Sequence, residues 1–322
     1  MILKKMSFGL NVQKYLMLGI LLLIFISFSL ATPKFITYVN LSNVMLQVSL
    51  IIITGSALTL LMISGHFDLS VGSIIAFSGV MHAFISKHYA PTPISIIIAV
   101  LLGGLIGYLN GVMVTKLKIT PIIATMGTMY AARGLAYIIA RADGGANITS
   151  GLPLDFQSFG RGMVGPVPLP VIIMIAIVAI FYFIQTKTNL GRYSYAIGAN
   201  KHSSYLSGVK VDRWVILLYV LAGILAGFCG TILVSRLGSG VPSIGLGFEF
   251  DVIIAIVLGG TLITGGEGSV LGMVIGALII GFVANGLNLL DVQSFYQTVI
   301  KGAILLASII LERSLKNKIA QG

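Results

Sequence analysis

The sequence predicts an all-α polytopic transmembrane helical bundle of about ten helices, with the N- and C-termini cytoplasmic. Three observations predict it. First, the 322 residues are 57% hydrophobic and only 9% charged, with a mean hydropathy of +1.04. An ordinary soluble domain carries far more charge. Second, the apolar residues gather in stretches of roughly 20, the length a helix needs to cross a bilayer. Third, the basic residues behind the net charge of +11 sit in short segments between those stretches. That placement sets membrane orientation and speaks against nucleic acid as a partner.

Taken in order, the spans fall at about 15–31, 42–64, 68–86, 92–115, 121–140, 168–186, 214–235, 248–264, 270–287 and 293–311. Together they form one transmembrane domain over residues 1–322. The first span follows Lys4, Lys5 and Lys14 and resembles a signal peptide. It is long for such a segment, and Thr32-Pro33-Lys34 is a poor cleavage site, so it reads as a retained helix. The second and third spans are parted by a polar, glycine-bracketed break at 64–73. Lipid-facing backbone cannot leave donors and acceptors unpaired, so a break belongs at the membrane face or against a protein-walled cavity. Asp68 is expected to cap the third span, accepting from its free N–H groups. A capped turn and a break beside a transport path both fit. Thr120-Pro121 reads as an N-cap with proline at the first helical position. Pro166, Pro168 and Pro170 stiffen the lead into the sixth span.

The basic residues orient the chain. Lys4, Lys5, Lys14, Lys116, Lys118, Lys187, Arg192, Lys201, Lys210, Arg213, Arg313, Lys316 and Lys318 fall on the side of the N-terminus. Only Lys34, Lys87, Arg141, Arg161 and Arg236 fall on the other. The richer side is cytoplasmic. The long outer loop is then 141–167, with Asp143 and Asp155, and the long inner loop is 187–213. Within the inner loop, Ala199 to Leu206 has the pattern of a short amphipathic helix ending at Gly208. Such a helix can dock into a groove on a soluble partner or rest on lipid headgroups.

Charges inside spans are costly and are usually paired or functional. Arg133 lies in the fifth span, Glu249 and Asp251 open the eighth, and Lys301 lies in the tenth. An Arg133–Asp251 or a Lys301–Asp251 pair is compatible with the sequence. Gly223-x-x-x-Gly227 and Gly272-x-x-x-Gly276 let helix backbones approach closely. Asp68-Leu69-Ser70-Val71-Gly72 is faintly echoed by Glu267-Gly268-Ser269-Val270-Leu271-Gly272, each ahead of a glycine-dotted span. Transporters often contain such repeats. The single cysteine, Cys229, is expected to pack inside a span. His66, His82, His88 and His202 have no metal-ligand spacing, and no catalytic constellation is expected. There is no phosphate-binding loop of the Gly-x-x-x-x-Gly-Lys-Ser/Thr type, so no cofactor or ATP site is expected on this chain.

Four stretches are similar to those of one family: Asp68-Leu69-Ser70-Val71-Gly72-Ser73; Gly127-Thr128-Met129-Tyr130 with Arg133-Gly134; Tyr195-Ala196-Ile197-Gly198-Ala199-Asn200 through Ser207-Gly208-Val209; and Gly259-Gly260-Thr261 through Gly265-Gly266-Glu267-Gly268-Ser269. Asn285-Gly286-Leu287-Asn288 and Lys301-Gly302 match its last hairpin. The chain resembles the permease subunit of bacterial monosaccharide ABC importers of the ribose, xylose, galactoside and multiple-sugar type. Gly65-His66-Phe67 in place of the Gly-Gly-Ile of many members, and Glu267 in place of a small or apolar residue, depart from the pattern.

The resemblance implies a non-enzymatic, multi-pass protein of the bacterial inner membrane that translocates a pentose or hexose. It implies a second permease copy, a periplasmic or lipid-anchored sugar-binding protein outside, and cytoplasmic ATPase subunits that bind the ATP and magnesium. It places the contact to the ATPase at Ala199, Asn200, Lys201, His202, Ser203, Ser204, Tyr205, Leu206, Ser207 and Gly208. The outer loop around 144–159 would meet the binding protein. An uncharged polyol suits a path lined by hydroxyl, amide and glycine positions, for which Asp68, Ser70, Gly72, Asn110, Asn285 and Asn288 are the candidates. The competing readings are a related permease for a furanone signal or a nucleoside, and a secondary carrier that needs no ATPase.

Overall fold

In a computed structural model, residues 2–149 and 151–321 are described, with side chains over 16–149, 151–307 and at 310. The side chains of Lys4, Lys5, Lys14, Arg313, Lys316 and Lys318, used above for orientation, lie outside the described residues. The helices are α1 (Ile2–Ala31), α2 (Tyr38–Ile63), α3 (Val71–His88), α4 (Thr92–Thr115), α5 (Pro121–Ala142), α6 (Ser158–Arg161) and α7 (Leu169–Lys187). They continue as α8 (Asn189–Ala199), α9 (Lys201–Leu206), α10 (Val211–Leu237), α11 (Phe248–Leu258), α12 (Val270–Leu289) and α13 (Ser294–Gln321). A tiny antiparallel ribbon pairs β1 (Met163–Val164) with β2 (Val167–Pro168) in the outer loop. Among the described residues, six helices are long and apolar enough to cross a membrane: α2, α4, α5, α7, α10 and α12. The apolar part of α1, Leu16–Ala31, is shorter.

The core is built around α2. Its residues from Val48 to Ile63 are all buried, enclosed by α7, α8, α10, α11 and α12. A helix that is apolar on every side belongs inside a bundle. By contrast α4 and α5 each keep an apolar face outward, with Ile97, Leu101 and Leu105 on one and Ile122, Tyr130 and Ile138 on the other. The inward face of α4 is made of Gly103, Gly104, Gly107 and Gly111, set against α10. A Cβ on Gly103 would stand 2.5 Å from the Gly223 carbonyl oxygen, so the two backbones touch. On α10, Cys229 is buried and takes a hydrogen bond from the Thr54 hydroxyl of α2 at 3.3 Å.

Three local expectations are corrected. The stretch 248–264 is not one helix: α11 stops at Leu258 and has 11 residues. At 1.5 Å per residue that is about 16 Å, half a bilayer core. Gly259 and Gly260 end it, and residues 259–269 fold back without helix. The approach to α11, residues 238–247, is also non-helical. It runs beside α3, where a Cβ on Gly240 would meet that of Ala83 at 2.8 Å and one on Gly245 would meet the Gly72 carbonyl at 2.7 Å.

The second correction concerns the inner loop. It holds two helices, α8 and α9, rather than one over Ala199 to Leu206. Asn200 parts them and restarts the helix by accepting the Ser203 N–H at 2.8 Å. Gly208 follows α9 in the left-handed region, φ +83°, and its N–H reaches the Tyr205 carbonyl. The third concerns caps. Ser70, not Asp68, occupies the N-cap of α3; Thr120 does sit at the N-cap of α5 ahead of Pro121, as expected, with no side-chain hydrogen bond.

Candidate translocation and coupling site

The break between α2 and α3 is closed by a buried polar network. Asp68 is only 1% exposed. Rather than capping the helix, its Oδ1 accepts the Ser70 N–H at 2.8 Å and the Ser70 hydroxyl at 2.5 Å. The two-residue span explains this: the carboxylate closes a turn on its own backbone before the helix begins. Asn110 of α4, fully buried, donates to Ser70 Oγ at 2.9 Å and lies 3.5 Å from Asp68 Oδ2. Thr128 of α5 donates to Asn110 Oδ1 at 2.7 Å. Thr125 accepts the Leu69 N–H at 3.2 Å. From α10, Tyr219 donates to the Phe67 carbonyl at 2.8 Å. Backbone polar groups freed by the break therefore find partners on α5 and α10, and Asn110 of α4 braces its side chains, as apolar surroundings demand.

The second break, between α11 and α12, uses glycine instead. Gly265 and Gly266 have φ of +83° and +84°, a region other residues enter at a cost. The chain turns tightly enough that a Cβ on Gly265 would lie 2.8 Å from Gly65 Cα of the first break. The two breaks are also bonded: the Gly266 N–H donates to the Ile63 carbonyl at 2.8 Å. The turns ahead of the two echoing motifs thus meet in space, and α8 lies against their junction. Any Cβ on Gly198 of α8 would run into both the Ile63 carbonyl and the Gly266 nitrogen.

The remaining singled-out residues lie elsewhere. Gly72 opens α3 and faces the segment before α11, where a Cβ would overlap the Glu249 carboxylate. Asn285 of α12 exchanges hydrogen bonds with Asn40 of α2 at 2.9 and 2.8 Å. Asn288 accepts from Gln297 at 2.6 Å. The structure joins Asp68, Ser70 and Asn110, and leaves Asn285 and Asn288 paired at the other end of the bundle. Lys301 donates to both oxygens of Asp251, at 2.7 and 2.9 Å. Arg133 does not pair with Asp251. Its Nη1 donates to the carbonyls of Pro242 at 2.7 Å and Ile244 at 2.5 Å. Those carbonyls belong to the non-helical approach to α11 and need a donor at that depth.

In the loop over 187–213, α9 exposes Tyr205 and Leu206, 70% and 71% accessible, between Lys201, His202 and Ser207. Ser204 faces inward and bonds the Asn200 carbonyl at 2.9 Å. On the outer side, Asp143 accepts from Lys87 at 2.8 Å and His88 at 2.6 Å. Burial alone would raise the Asp143 pKa, but the hydrogen bonds from His88 and Lys87 outweigh it and hold the carboxyl below its ordinary value. Phe156 is buried beneath this loop against His82, ring centroids 4.7 Å apart. Sequence reading assigned no role to Thr125, Gln185, Tyr195 or Tyr219. A lone hydroxyl or amide in or beside an apolar span was the available signal.

Broken helices that meet inside an apolar bundle recur in membrane transporters. The chain belongs to the family described as branched-chain amino acid transport system / permease component, whose pattern it matches over residues 40–309. It is 40% identical to the ribose import permease protein of Bacillus subtilis, over 92% of this chain and 91% of that protein. It is 35% identical to the D-allose transport system permease protein of Escherichia coli, over 96% and 94% of the two chains. Its identity to the L-arabinose transport system permease protein of the same organism is 38%, over 95% and 92%. No solved structure matches the chain.

Proposed function

We propose that this chain is the membrane-spanning permease subunit of an ATP-binding-cassette importer that carries a monosaccharide, a pentose or hexose, across the bacterial inner membrane. The observation that carries the reading is its likeness to permeases named for ribose, allose and arabinose, over about nine-tenths of each chain. In this reading the chain crosses the membrane about ten times with both termini cytoplasmic, and works as a pair of identical copies. A cytoplasmic ATPase grips the α8–α9 region through Tyr205 and Leu206, and a sugar-binding protein meets the outer loop. The sugar passes beside the first break, where Asp68, Ser70 and Asn110 already exchange hydrogen bonds. The fit is chemical: hydroxyl and amide groups can trade those bonds for sugar hydroxyls without moving a net charge.

Reconstitution tests it. Proteoliposomes holding the permease with its ATPase and binding protein should fill with radiolabelled D-ribose, L-arabinose or D-allose only when ATP is supplied. Uptake by the permease alone, driven by an ion gradient, would identify a secondary carrier instead.

A further inference from the structure

The second break is held from outside by two side chains that the transport path does not use. Gln185, near the end of α7, is buried. Its Oε1 accepts the Val270 N–H at 3.1 Å, one of the orphan donors in the first turn of α12. Its Nε2 lies 2.7 Å from the Tyr195 hydroxyl oxygen and donates to it. Tyr195, on α8, donates in turn to the Gly268 carbonyl at 2.6 Å, and Gln185 Nε2 reaches the same carbonyl at 3.3 Å. Two backbone groups at the break, the Gly268 carbonyl and the Val270 N–H, are therefore tied to α7 and α8 through one amide and one phenol. On the same helix, Gly198 packs without a side chain against the Ile63 carbonyl that bonds Gly266. A single residue, Asn200, parts α8 from the exposed α9.

We infer that Tyr195 and Gln185 are positioning residues that tie the backbone of the second break to α8. A displacement of α9 is thereby passed to the start of α12 and, through Gly266 and Ile63, to the first break. The inference rests on the reading of α9 as the ATPase contact, and it names which bonds carry the movement inward. The argument is geometric. Rigid helices move as units, and loops follow only where bonds hold them. In the second break those bonds come from Gln185 and Tyr195, whereas the first break is held by α4, α5 and α10. A shift of α8 therefore acts first on the glycine turn at 265–268.

The test compares Tyr195→Phe and Gln185→Leu with the wild type in the full reconstituted complex. The readout is sugar transported per ATP hydrolysed, with radiolabelled D-ribose, L-arabinose and D-allose supplied in turn. Tyr195→Phe should keep the ATPase bound and hydrolysing while transport per ATP falls about fivefold, the scale of one net hydrogen bond in a coupling equilibrium. Gln185→Leu should fall further. Tyr193→Phe, whose ring meets Trp214 at 5.1 Å and touches neither break, should match wild type. An unchanged ratio in Tyr195→Phe, or transport and hydrolysis falling in parallel, overturns the inference while the transport reading stands. Loss of ATPase co-purification in Tyr195→Phe also overturns it, since Tyr195 would then belong to the docking surface. Wild-type vesicles that take up none of the three sugars with ATP sink the transport reading and this inference together.

Discussion

The two helix breaks solve one problem in opposite ways. Between α2 and α3 the loosened backbone is satisfied by side chains: Asp68, Thr125 and Tyr219 take up its free groups, and Asn110 and Thr128 brace them. Between α11 and α12 the chain satisfies itself by glycine turns at positive φ, helped by Gln185 of α7 and Tyr195 of α8. The first solution is locked among buried helices. The second is locked to a surface element. One break is thus fixed among buried helices as a wall, and the other is tied to a helix that adjoins the exposed α9.

Substitutions can break or sharpen that contrast. The largest effect is expected at the contact between the breaks. Gly265→Val should destabilise the solubilised protein by about 3 kcal/mol, because it adds positive-φ strain to a clash with Gly65 backbone. A melting temperature within error of wild type would show that the breaks are not pressed together. Next comes the fixed wall itself. Asn110→Leu removes the donor to Ser70 Oγ and the acceptor of Thr128, and leaves the buried Asp68 Oδ2 without its amide neighbour, for a loss of about 2 kcal/mol. Chemical denaturation reads it, and sugar uptake should fall with it.

Tyr219→Phe removes a single donor to the Phe67 carbonyl, for about 1 kcal/mol. A smaller loss than Asn110→Leu is required if the network, rather than any one bond, holds the wall. The smallest effect is expected at the outer surface, which touches neither break. The Asp143 carboxyl sits below its ordinary value, so its stabilisation is full above the usual carboxylate range of about 4 and fades as pH falls through the lowered native value. Melting curves taken down that acid range should show a shallow drop that Asp143→Asn abolishes.

Apolar length and charge placement made most helices legible, because lipid leaves a chain few other choices. What was not legible has a physical cause in each case. Residues 189–199 contain Gly191 and Gly198 and read as loop, yet they form α8. Those glycines are needed for contact: a Cβ on either would run into backbone, Gln185 for one and Ile63 for the other. Packing overrides propensity there. The ion-pair alternatives for Arg133 failed because its partners are the carbonyls of Pro242 and Ile244, and a carbonyl acceptor leaves no mark in a sequence. The half-length of α11 was hidden because Gly259-Gly260 sits within an unbroken apolar run. Asp68 and Ser70 were found, and their neighbours on α5 and α10 were not, since only the fold brings them within reach.

The burial of Cys229 has a practical consequence. The chain's single sulfhydryl is sealed between α10 and α2, out of reach of water-soluble maleimides. The unaltered protein is therefore a silent background for site-directed labelling. A reporter thiol placed at Tyr205, on an open face, would be the sole group to react, and a spin or fluorophore label there could follow the working cycle without first removing a native residue.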